Sequence, residues 1–141
     1  MRLFAQSTVP CLLLLSTACT GLAAGPEVSA STPVPVTKDS AWVRAKRAVQ
    51  AEVFSISAED SAGGHLSAMR YPSSTAKVGT VAACRVQLSL TIAGAANNAE
   101  LVSTSRWIAP TAMAATPSIC DQDRKDVLDR IQQTIAPPPQ P

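Results

Sequence analysis

From Val81 to Ile92 the side chains alternate without a break. Ala82, Cys84, Val86, Leu88, Leu90 and Ile92 point one way, and Val81, Ala83, Arg85, Gln87, Ser89 and Thr91 point the other. A dozen residues of period two do not fit a helix, whose apolar period is 3.6. They make a strand with one buried and one wetted face, the mark of an antiparallel sheet covered on one side. The rest of the chain has to supply the partner strands and the covering layer.

Ser40 is placed to cap a helix over Ala41 to Glu52, with Trp42, Ala45, Val49 and Val53 as its apolar stripe and Arg44, Lys46, Arg47 and Gln50 opposite. The period then changes. Phe54, Ile56 and Ala58 alternate with Ser55, Ser57 and Glu59, the turn residues Asp60 to Gly64 follow, and His65 to Tyr71 reads as the returning strand. Pro72 to Gly79 is a loop leading into the long strand, and Gly94 to Asn98 is a turn. Glu100 to Ala109 is a fourth strand of weaker alternation, with Leu101 and Trp107 on one face and Val102 and Ile108 on the other, expected at an edge or carrying a bulge. After a loop over Pro110 to Ser118, a last helix runs from Cys120 or Asp121 to Ile135, with Arg124, Val127, Leu128, Ile131 and Ile135 as its inner stripe. The order α-β-β-β-β-α predicts an α+β two-layer sandwich, two helices on one face of a four-stranded antiparallel sheet.

The ends differ in character. Met1 to Ala18 has the order of a secretory signal: Arg2, the apolar run Val9 to Leu15, then small residues. That run falls well short of the roughly 20 residues that cross a bilayer as a helix. Residues 19–38 hold Pro26, Pro33 and Pro35 among Ser, Thr, Ala and Gly, which predicts a flexible tether. Residues 39–136 form the domain, and 137–141 a Pro-rich disordered tail.

Leu15-Ser16-Thr17-Ala18-Cys19 resembles the lipobox of bacterial lipoproteins, with Ser16 where leucine is usual. The alternative is ordinary cleavage after Ala18 or after Ala23. Of the four cysteines, Cys11 lies in the signal; lipidation of Cys19, or a cut after Ala23, leaves Cys84 and Cys120 as a pair. With the tether and a disulfide-pinned α+β domain, the whole pattern is similar to small Gram-negative envelope lipoproteins. That resemblance implies a lipid anchor such as palmitate on Cys19. Thr20 in place of an aspartate after the cysteine implies export to the periplasmic face of the outer membrane. It also implies a non-catalytic binding or assembly accessory module, with an envelope protein or anionic lipid as partner. The alternative reading is a soluble periplasmic or secreted protein with enzymatic or inhibitory activity.

Composition supports a staple. Of 141 residues 46% are hydrophobic, but 24 are alanine, and residues 39–136 hold only 25 large apolar side chains. Small exported domains with such thin cores lean on disulfides. A Cys84–Cys120 bond would tie the last helix to the sheet; the rival reading is a reactive thiol. A net charge of +2 without a block of like charge, five aromatics and one histidine argue against nucleic-acid binding and a histidine-built metal site.

The remaining chemistry is sparse. His65, Ser67 and Asp60 can be drawn as a triad, but no nucleophile elbow surrounds any serine. Asp121, Asp123 and Asp126 lack the glycine and closing glutamate of a calcium loop and read as a helix start suited to the dipole. Gly63-Gly64 sits in no phosphate-loop context. No catalytic residue, metal or cofactor is assigned. The strongest candidate surface is basic: Arg44, Lys46 and Arg47, after Lys38, with Trp107 beside them if its strand is an exposed edge.

Overall fold

The structure, a computed structural model, describes residues 21–71, 84–95, 97–110 and 117–137. These form β1 (Leu22–Ala24), β2 (Val28–Val34), α1 (Lys38–Ala51), β3 (Ser55–Asp60), β4 (His65–Arg70), β5 (Arg85–Ala95), β6 (Asn98–Pro110) and α2 (Pro117–Ile135). The fold is α+β, and both helices pack on one face of an antiparallel sheet. The described sheet has six strands in place of four, in the order β1-β6-β5-β4-β3 with β2 also on β6.

The two additional strands come from the predicted tether. Val28 to Val34 pairs with β6 from Ser105 to Ala99, and Leu22 to Ala24 pairs with Pro110 to Ile108. Helix and strand order therefore begins with two strands before α1. This also corrects the edge assignment of the fourth strand: β6 lies inside the sheet, flanked by β5 on one side and by β1 and β2 on the other. Its alternation looked weak because two inward positions are serines. Ser103 and Ser105 are buried, and α2 meets them with polar groups: Gln132 Nε2 donates to Ser103 Oγ at 3.2 Å and Arg124 Nη1 to Ser105 Oγ at 3.2 Å.

The predicted alternation of β5 holds over its described part, with Cys84, Val86, Leu88, Leu90 and Ile92 all buried; Val81 to Ala83 lie outside the described residues. Leu66 and Ala68 of β4 and Leu101 of β6 join that face, and Val127, Leu128, Ile131 and Ile135 of α2 pack onto it. Burying each large aliphatic contributes about 1.5–3 kcal/mol against exposure. Arg124 belongs to this inner stripe as predicted; it is 4% exposed, and its Nη2 donates to Asp121 Oδ1 at 2.8 Å.

α1 is set three residues earlier than the sequence suggested. Thr37 rather than Ser40 is the cap, its Oγ1 accepting from Ser40 N at 3.2 Å. The buried stripe is accordingly Ala41, Ala45, Ala48 and Val49, with Trp42 half-buried. Three alanines let the helix lie close to the sheet. Val53 is not in the stripe: it follows the helix at φ 62° and is 79% exposed. Val53 N donates to Gln50 O and Phe54 N to Val49 O, the paired bonds of a Schellman ending with valine where glycine is usual.

The free edges are poorly suited to accepting another strand. β3 is exposed at every residue except Ile56, shifts register between Ile56 and Ala58, and ends in Glu59-Asp60. β1 and β2 are separated by Gly25-Pro26-Glu27, and β2 contains Pro33, which offers no N–H.

Candidate functional site

Cys84 and Cys120 are disulfide-bonded, as the cysteine count predicted, with Cα atoms 5.5 Å apart. The bond fixes the start of β5 to α2 and forms a second small core with Trp107, Ala109 and the half-buried Ala23. This corrects the placement of Trp107 on a docking surface. The indole is 5% exposed, and a Cβ on Gly25 would collide with its ring, so the backbone at Gly25 closes over it. Gly25 N also donates to Trp107 O at 3.0 Å.

Three of the four basic candidates have local partners. Arg44 Nη1 donates to the carbonyl of Ile135 at 3.3 Å, capping the end of α2 with a positive charge where the helix dipole favours one. Lys46 pairs with Glu59 at 2.8 Å across a groove of about 390 Å³ between α1 and β3. Lys38 Nζ donates to Ala62 O at 2.7 Å, holding the β3–β4 turn. Arg47 is exposed and forms no ion pair among the described residues.

The groups tested for catalysis are occupied locally. His65 Nδ1 shares a hydrogen bond with Thr91 Oγ1 at 3.1 Å, and Asp60 Oδ1 accepts from Gly63 N at 3.0 Å, so His65, Ser67 and Asp60 form no relay. Asp121 holds Arg124, Asp126 accepts from Gln122 at 2.7 Å, and Asp123 pairs with Arg70. Among the described residues no cluster of His, Cys, Asp and Glu is arranged for a metal ion. Burial pushes the Asp123 carboxyl above its usual value of 3.8, and Arg70 beside it offsets that only in part.

The structure assembles a different surface, which sequence reasoning missed. On the outer, helix-free face, register brings one hydroxyl from each successive strand into a row: Ser29 opposite Thr104, Thr104 opposite Ser89, and Ser89 opposite Ser67. Ser29 Oγ and Thr104 Oγ1 are hydrogen-bonded at 3.0 Å, and Ser57 Oγ donates to Ser67 O at 3.2 Å, which extends the row to β3. The next row holds Arg106, Gln87 and Met69, with the Arg106 guanidinium on the Gln87 carboxamide. Without Ser29, and together with Glu27 and Tyr71, the residues of these two rows line an open groove of about 320 Å³. Hydroxyls both donate and accept, so the row suits reversible polar binding. Among the described residues the groove's ionisable groups are Glu27, Arg106 and Tyr71. The available signal was the run of Ser and Thr at the polar positions of successive strands.

No family model and no curated protein matches the chain. Solved structures do. The chain is similar to Ara h 8.0201 at 12% identity and a TM-score of 0.59, over 82% of this chain and 95% of that one. It also aligns with a point mutant of Thalictrum flavumn norcoclaurine synthase in complex with a transition-state analogue (8% identity, TM-score 0.48, 82% and 96% of the two chains). A third match is a protein from Thermus thermophilus, TTHA0849 (10%, TM-score 0.46, 78% and 94%). The likeness to Ara h 8.0201 is one of fold, the Bet v1-like arrangement, and at that identity it carries no function.

Proposed function

We propose that the protein is a non-catalytic exported lipoprotein, anchored through Cys19 on the periplasmic face of a Gram-negative outer membrane. In this reading it serves as a binding or assembly accessory module, presenting its outer sheet face to an envelope protein or to anionic lipid. One observation carries the reading: β1 starts at Leu22, and Ala23 packs against Trp107 and the disulfide. Cleavage after Ala23 would remove two of the three residues of β1. Cleavage after Ala18 keeps the strand whole and makes Cys19 the first residue, where lipidation uses the thiol that would otherwise be left without a mate. The Cys84–Cys120 disulfide fits an oxidising compartment.

The test is processing in a Gram-negative host. Globomycin, which blocks the lipoprotein signal peptidase, should cause the precursor to accumulate. The Cys19→Ala chain should leave the membrane fraction. Undisturbed maturation under globomycin, or membrane retention of Cys19→Ala, would rule the anchor out.

A further inference from the structure

We infer that the anchored domain rests its sheet directly on the lipid surface, with the outer-face end formed by Leu22, Ala24, Ile108, Arg85 and Tyr71 against the head groups. The inference depends on the Cys19 anchor proposed above. Two residues, Thr20 and Gly21, separate Cys19 from Leu22, a reach of about 10 Å at full extension. Because residues 22–34 are built into the sheet, almost no tether is left to hold the domain away from the bilayer.

The end of the sheet nearest the anchor has the chemistry for that contact. Ala23 faces the inner cluster, so Leu22 and Ala24 face outward, and Ala24, Ile108 and Arg85 lie in one cross-strand row. Four large hydrophobic side chains are exposed among the described residues. Two are here, Leu22 at 62% and Tyr71 at 57%; the others, Val43 and Val53, belong to the helix layer. The Arg85 guanidinium lies 5.9 Å from the Tyr71 ring centroid, and its Nε is buried without a hydrogen-bond partner among the described residues. An amphipathic ring beside an arginine that no described carboxylate neutralises suits an interface of anionic head groups over acyl chains. Arg106, one row further in, brings the groove close to the same surface.

Hydroxyl-radical footprinting of the lipidated protein on vesicles of phosphatidylethanolamine and phosphatidylglycerol tests this, with the Cys19→Ala chain in buffer as reference. Leu22 adjoins the anchor and will be shielded in any case. Tyr71 decides, because it lies three strand spacings away, about 14 Å across the sheet. Its oxidation should fall about threefold or more on vesicles if the ring enters the interface, while Val43 and Val53 label as in buffer. Unchanged Tyr71 labelling, or protection of Val43 and Val53 instead, overturns the orientation and leaves the lipoprotein reading standing. An intact mass without acyl chains removes both.

Discussion

Replacing Cys84 and Cys120 together by alanine should cost the fold about 4 kcal/mol. The two residues are 36 apart in sequence, and closing a loop of that length removes about 3.8 kcal/mol of unfolded-chain entropy at 25 °C in the chain-entropy model. Both cysteines are buried against Trp107, so lost packing adds to the cost. That is a large share of the roughly 5–15 kcal/mol typical of a domain. Urea unfolding, followed by the emission of Trp42 and Trp107 and by far-UV circular dichroism, measures it. With a slope of about 1.5 kcal/mol/M the midpoint should fall by about 2.5 M. Oxidised wild type treated with reductant should approach the variant. A loss below about 1 kcal/mol would mean that the bond restrains little that the unfolded chain explores, and the disulfide would then not be the staple of this fold.

Val53→Gly should stabilise the protein. A β-branched residue in the left-handed region costs about 1–2 kcal/mol, and glycine returns about 0.5–1 kcal/mol of that through unfolded-state entropy, so thermal or urea unfolding should show a gain of about 0.5–1 kcal/mol. Arg124→Ala should lose about 3 kcal/mol in the same assay, because it empties a buried site and strands Ser105, whereas Arg124→Met, which refills the site but still strands Ser105, should lose less, about 1–2 kcal/mol. Asp123 should titrate above 3.8 by carboxyl-carbon NMR. Its folded value is raised, so its contribution to stability is full below the unfolded value and is lost as pH rises through the folded one; a midpoint at or below 3.8 would show that Arg70 outweighs burial.

Legibility in the sequence tracked how strictly each segment kept a period. The strand around β5 alternates over a dozen residues and α2 repeats its inner stripe over about three turns, so both were placed with their buried residues, Arg124 included. The disulfide followed from counting cysteines. β2 was hidden by its own composition: Val28, Ala30, Thr32 and Val34 do alternate with Ser29, Ser31 and Pro33, but small polar residues between prolines carry little hydrophobic signal. Missing β1 and β2 left β6 at an edge and Trp107 on the surface, although its inward parity with Leu101 was already visible. The hydroxyl row depends on the register of five strands, which local sequence does not specify.

Whether the domain is held to the membrane at Cys19 with its first strand intact is read from the intact mass of the protein purified from a wild-type envelope. The expected mass is that of a chain beginning at an acylated Cys19, with Cys84 and Cys120 oxidised to one another. A chain beginning at Ala24, or at an unmodified Cys19, would contradict it.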